Sequence, residues 1–423
     1  MSNESISSLK KRQQTTFQKE LNHANLFLAK TQKWTTMLGT KQAPEALNSF
    51  DRKIGSIEIA LKRVADPKQL NQPKLVRDLA VTLSDYYDKR GLWDDWIRLG
   101  PLGLEACLKL GDAYSLGEAY PTICNGIGLM YRMLGKLDDS LPFYEKALEQ
   151  ATKDELQSDS FTNMADIHRL CGETEKALFC AKRAVKLGRC IGDKAREAKG
   201  LEYMGLTYTN IKMHNKAVEC HRQALTLREE TGNLPRIALA LDFLSGALIG
   251  RGAEDDLKEA IKDYQNALTL EKQLNNSQRM ASSYCGLGNI YLKLGEHKKA
   301  IDNYEMALAL YSGMGFFRGS AIVHIRLTSA HAQLEQLDTA LFHAKEICKH
   351  RQHLLYPDRA GVIPLIGQTL LKLVDSLEAQ QNLEQIREFA ELAIEFATEA
   401  KNNEWIEILE KRVRNLFPSD YLV

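Results

Sequence analysis

One pattern recurs six times along the chain. A small residue stands on a first amphipathic run, a turn follows, and a second small residue stands on a second run. The first set is Gly128, Ala165, Gly205, Ser245, Gly288 and Thr328, spaced by 37, 40, 40, 43 and 40 residues. The second set is Ser140, Ala177, Ala217, Ala260, Ala300 and Ala340, at nearly the same step. The stretch "GLGNIYLKLGEHKKAIDNYEMALAL" at 286–310 shows the pattern most plainly. Its apolar residues follow a helical period, and the turn falls at Gly295-Glu296-His297. A period of this length is one helical pair, which cannot bury its apolar face alone. Stability is then a nearest-neighbour sum along an array. The small residues fit where two helices cross closely, with the rings Tyr291 and Tyr304 filling the space beside them. The 43-residue step carries an insertion, "GRGAEDDLKEA", at 250–260.

The motif Leu287-Gly288-Asn289-Ile290-Tyr291 followed by Ala300-Ile301-Asp302-Asn303-Tyr304 resembles the tetratricopeptide repeat. Met204-Gly205 with Tyr208, and Ile127-Gly128 with Tyr131, fit the same pattern, while Thr328 and His331 mark a degenerate copy. The resemblance covers roughly residues 75–400. A step near 40, against the family's usual 34, is similar to the longer repeats of Leu-Gly-Asn proteins, kinesin light chains and bacterial signalling-ATPase sensors. Gly-Asp-like links join the copies at Gly111-Asp112, Gly192-Asp193 and Gly232-Asn233. The resemblance implies an all-α fold, a right-handed solenoid of antiparallel helix pairs.

The organisation expected is threefold. Residues 1–66 form an N-terminal helical hairpin or cap, with one helix from Leu9 to Leu38 and a second from Pro44 to Val64. Residues 74–400 form the array, about seven to eight pairs, and 401–423 form a capping helix and tail. Pro67 and Pro73 bracket a break before the array. The first pair, Leu75–Asp112, is atypical because Trp93 and Trp96 replace the usual alanine, as suits a terminal repeat.

Charge and motifs narrow the function. The formal net charge is +1, so no basic stripe predicts nucleic-acid binding. No apolar run approaches the roughly 20 residues of a membrane span, and "MSNESISSLKKRQQ" has no apolar signal core. The eight cysteines include no CxxC pair, which fits a reducing, cytoplasmic setting. Glycines in "GIGLMYRMLG" and "GLGNIYLKLG" lie inside helical patterns, so they serve packing rather than a dinucleotide loop. No Gly-x-Ser-x-Gly elbow or phosphate loop occurs. His350 and His353 share a helix face with Cys348 off it, too few ligands for a metal. The expectation is a chain that is not an enzyme and has no cofactor.

The family resemblance places first helices on a concave groove. Three columns there give Asn125, Leu129 and Arg132; then Thr162, Asp166 and Arg169; then Glu202, Leu206 and Thr209; then Asp242; and Cys285 with Asn289. The candidate binding residues are therefore Asn125, Arg132, Asp166, Arg169, Glu202, Asp242 and Asn289. Stacking is expected to bring the charged ones into one band that packs against no core. In chaperone-binding relatives a Lys-and-Asn clamp holds a C-terminal carboxylate. Asn289 matches its asparagine, but Cys285 stands where the lysine would, which argues against that ligand. The expected function is a scaffold or adaptor that holds a peptide or helical segment of a protein partner. The alternative is a peptide-responsive regulator similar to the bacterial quorum-sensing families, which also set a helical module before the array. A hinge at Pro67–Pro73 would favour that switch, and a packed hairpin would favour the scaffold.

Overall fold

A computed structural model of the chain describes residues 3–38, 42–334 and 336–350, with isolated helical positions at Ile394, Thr398, Glu407, Glu410, Lys411 and Arg414. The fold is an all-α solenoid, with no strand among the described residues. It divides into two compact units, Met1–Ile211 and Lys212–Val423.

Unit 1 opens with three helices, α1 (Asn3–Leu38), α2 (Ala43–Asp51) and α3 (Ile54–Ala65). The pairs α4 (Pro73–Arg90) with α5 (Trp93–Leu110), α6 (Tyr120–Met133) with α7 (Leu137–Gln150), and α8 (Asp154–Leu170) with α9 (Thr174–Cys190) follow, and α10 (Lys194–Asn210) closes it. A π-helical turn, Ser115–Ala119, feeds into α6. Unit 2 holds α11 (His214–Thr231), then α12 (Leu234–Arg251) with α13 (Glu254–Gln273), α14 (Ser277–Lys293) with α15 (His297–Gly313), and α16 (Phe317–Gln333) with α17 (Leu337–His350). The insertion at 250–260 makes α13 a 20-residue helix. Arg251 Nε donates to Asp256 Oδ2 at 2.6 Å across its start.

The N-terminal hairpin is a correction. The second helix breaks at Arg52-Lys53 into α2 and α3. Just before the break, Phe50 stacks on Tyr86 of α4 at 4.7 Å and Asp51 accepts from the Tyr86 hydroxyl at 3.0 Å. Gly55, a poor helix former, follows it. Each short helix then turns its own apolar face inward, Ala46 and Phe50 from α2, Ile57 and Leu61 from α3. Across the Pro67–Pro73 segment Leu70 is buried, Gln72 N donates to Val64 O at 2.8 Å, and Lys68 N donates to Asp66 Oδ1 at 2.8 Å. Thr35 Oγ1 donates to Thr82 O at 2.8 Å, tying α1 to α4. One apolar core runs from Ala24 in α1 to Met130 in α6. Trp96 is fully buried there and stacks on Tyr87 at 5.4 Å.

The small residues sit at crossings. A Cβ on Gly288 would stand 2.5 Å from the Tyr304 ring, and one on Gly128 2.9 Å from the Tyr144 ring. Ser140 Oγ donates to Gly128 O at 2.7 Å, so the second small residue also satisfies the first helix's backbone. Gly295 ends the α14–α15 turn at φ +74°, a left-handed conformation that only glycine takes at no steric cost. The linking residues cap helices: Asp193 accepts from Arg196 N at 3.0 Å and Asn233 from Arg236 N at 3.3 Å. Beyond the isolated positions, the end of the array expected over 351–400 and the capping helix and tail expected over 401–423 lie outside the described residues. So do His353 and the side chains of Cys348 and His350.

Candidate functional site

In unit 1 the first helices α4, α6, α8 and α10 lie side by side, each touching the next. Corresponding positions of successive repeats therefore meet. Asp166 is 5% exposed and accepts from both sides. Arg132 Nη1 reaches its Oδ2 at 2.9 Å, and Arg169 Nη2 reaches its Oδ1 at 2.6 Å. Arg132 comes from the preceding repeat, 34 residues earlier. Burial would lower the Arg132 pKa, but Asp166 together with Tyr203, Tyr144 and Asp88 outweighs it, and the pKa is raised. Asp88 of α4 lies in the same field, its pKa raised by burial against the pull of Arg132. The Tyr144 and Tyr203 rings complete the surroundings, both phenols pushed up by burial.

The expectation of free wall charges that pack against no core is thus corrected. Arg132 and Arg169 are 25% and 18% exposed and are already bonded to a buried carboxylate. Spare donor capacity remains among the described residues: Arg132 Nη2 donates only to Met133 Sδ, at 3.6 Å, and Arg169 bonds to Asp166 through Nε and Nη2, leaving Nη1. Asn125 Oδ1 accepts from Ser160 Oγ of the next first helix at 3.0 Å, a second link between repeats. Glu202 is buried in α10 and engaged with neighbouring groups.

The other end of this wall carries a cleft of about 290 Å³. Val81 of α4, Ala119 and Thr122 beside the π-helical turn, Leu156 of α8 and the ring of Tyr114 line it. Lys153 and Glu118 pair at its rim at 2.7 Å. No residue pattern pointed to it, because the π turn that builds it has no periodic signature.

Asp242 and Asn289 belong to unit 2. Burial raises the Asp242 pKa, Arg279 opposes that, and the Tyr264 hydroxyl bonds to the carboxylate. Asn289 is committed within its own repeat: Tyr304 Oη donates to its Oδ1 at 2.8 Å. Close by, Glu271 is 1% exposed and accepts from Ser283 Oγ at 3.0 Å. Burial pushes its pKa up to about 7. Sequence columns missed Glu271 because it belongs to a second helix.

Among the described residues no group of three or more His, Cys, Asp or Glu side chains is placed to hold a metal ion. No described helix is long and apolar enough to cross a membrane. The described cysteines are free.

The tetratricopeptide repeat model matches residues 121–189 and 251–312. The chain is 23% identical over 220 residues to the protein kinesin light chain-related 2 of Arabidopsis thaliana, covering 49% of this chain and 33% of that one. It is 20% identical over 263 residues to the 43 kDa receptor-associated protein of the synapse of Tetronarce californica, covering 60% and 62%. It thus spans less than two thirds of these relatives' length. Among solved structures, a signal transduction ATPase with a tetratricopeptide repeat sensor from Pyrococcus horikoshii superposes with a TM-score of 0.55 at 15% identity, covering 88% of this chain and 55% of that one. A Rap protein complexed with competence and sporulation factor superposes with a TM-score of 0.50 at 15% identity, covering 93% and 98%. Motif, helix pairing and family match agree over those two stretches: residues 121–189 and 251–312 are tetratricopeptide repeats.

Proposed function

We propose that the chain is a non-enzymatic interaction protein whose first-helix wall, the concave groove of the repeat, holds a segment of a partner protein. The observation that carries this reading is the Arg132–Asp166–Arg169 cluster. It presents arginine N–H groups at a partly open wall, rigidly placed by a buried carboxylate. Preorganised arginines at a partly desolvated surface are favoured anchors for binding. The candidates Asn125 and Glu202 belong to the same first-helix wall of unit 1 and would frame the groove there, while Asp242 and Asn289 stand on first helices of unit 2.

The alternative, a peptide-responsive switch, draws on the likeness in fold to the Rap protein over nearly the whole of both chains. The bonded Pro67–Pro73 segment and the core shared by α1 to α6 support the scaffold instead, since a switch needs a second arrangement of that joint.

The test is affinity capture from native lysate with the full chain, followed by binding of the captured partner to purified variants. Arg169→Gln is expected to weaken binding at least tenfold, whereas Lys146→Ala on the outer helix α7 leaves it unchanged. Loss of the partner with Lys146→Ala alone would place binding on the outer helices.

A further inference from the structure

We propose that the wall of unit 1 is a two-anchor site for an extended acidic peptide, with the Tyr114 cleft taking a large apolar side chain and the Arg132–Arg169 pair taking a carboxylate. This rests on the groove reading above and specifies its ligand.

The cleft is built rather than incidental. Tyr114 is 44% exposed, yet its ring is held from beneath. The Arg77 guanidinium lies 4.6 Å from its centroid. Arg77 itself is 5% exposed and fixed three ways: to Asp78 at 2.7 Å, to Ser115 Oγ at 2.8 Å and to Asp112 at 3.5 Å. The π-helical turn is pinned in turn, since Thr152 N donates to Gly117 O at 3.1 Å. An aromatic ring that cannot collapse offers contact area at little entropic cost. The floor, Val81, Ala119 and Leu156, is apolar, Lys153 pairs with Glu118 at the rim, and Glu155 adds one further carboxylate to the lining, which disfavours an acidic side chain there. The cleft therefore suits an uncharged, bulky side chain.

At the far end, the spare Arg132 and Arg169 donors suit a carboxylate, which accepts two N–H groups at once. Asp88 and Glu202 lie in the same field, so a single carboxylate fits better than a strongly anionic group. The two anchors are joined by α6. Ala119 at the cleft and Arg132 are 13 residues apart in helix, about 20 Å at 1.5 Å per residue. An extended chain covers that in about six residues at 3.3 Å each.

The experiment selects phage-displayed random dodecapeptides on the full chain, then measures synthetic copies by fluorescence anisotropy. The expected peptides carry Phe, Tyr, Trp or Leu about six positions from Asp or Glu. Tyr114→Ala should weaken them about tenfold, Tyr114→Phe should restore binding to within twofold, and both Tyr114 variants should keep the wild-type melting curve. Peptides lost with Arg132→Gln but indifferent to Tyr114→Ala overturn the two-anchor site and leave the groove reading standing. Peptides indifferent to both sets of variants overturn both. No enrichment, or enrichment without the spaced pair, overturns the two-anchor site.

Discussion

Unit 1 buries the carboxylate of Asp166 between two arginines, while unit 2 buries Asp242 and Glu271 with Arg279 nearby. In the first case the carboxylate is bonded to both guanidiniums, and the Arg132 pKa is raised despite burial. In the second, desolvation outruns pairing, and Glu271 holds its proton up to about pH 7. The same repeat geometry thus supports a salt-bridged wall in one unit and a proton-sensitive interior in the other. What differs is whether the neighbouring repeat offers an arginine at bonding distance.

The sharpest way to break this contrast is to strip Asp166. The double variant Arg132→Ala/Arg169→Ala leaves a buried carboxylate alone, which costs about 3–5 kcal/mol. Thermal melting should show it as a clear drop, and an unchanged melting temperature would mean the cluster behaves as a surface pair. Next in size is Gly288→Leu in unit 2, where the new side chain meets the Tyr304 ring. Overpacking of this kind costs about 1–3 kcal/mol, and adding Tyr304→Ala should recover part of it in urea unfolding. The third variant, Glu271→Gln, tests the proton. Its folded pKa lies above the ordinary 4.5, so the folded state binds the extra proton. The stability this gives is complete below pH 4.5 and is lost as pH rises through 7. His221, buried and pushed down to about 4, works oppositely, weakening the fold as pH falls. The measurement is therefore a difference: the stability of the Gln variant relative to wild type should rise between pH 4.5 and 7.5. A flat difference would remove the contrast between the units. Smallest is Tyr304→Phe, which deletes the bond to Asn289 and should cost about 1 kcal/mol.

Much of this was legible beforehand. The period located the pairs, and the smallness of Gly128 and Gly288 located the crossings with Tyr144 and Tyr304. The wall columns named Arg132, Asp166 and Arg169, yet their mutual bonding was not foreseen. Opposite charges one helix turn apart in column, on successive repeats, were the available clue. The break between α2 and α3 escaped because Asp51 is tied to Tyr86, a contact 35 residues distant. Asn289 looked like half of a ligand clamp, but its amide oxygen serves Tyr304 within the same pair.

The crossing between Gly288 and Tyr304 has an evolutionary corollary. Where the second helix carries tyrosine, as at Tyr144 and Tyr304, the first carries glycine; where it carries alanine, as at Ala181 and Ala344, the first carries Ala165 and Thr328. Tyr264 faces Ser245 in the pattern, and there the missing bulk is moved one helix onward: a Cβ on Gly286 would stand 2.2 Å from the Tyr264 ring. Each joint keeps its volume by trading atoms between two positions. Drift at one position is therefore conditional on the other, and among descendants of this chain residues 288 and 304 should change together or not at all.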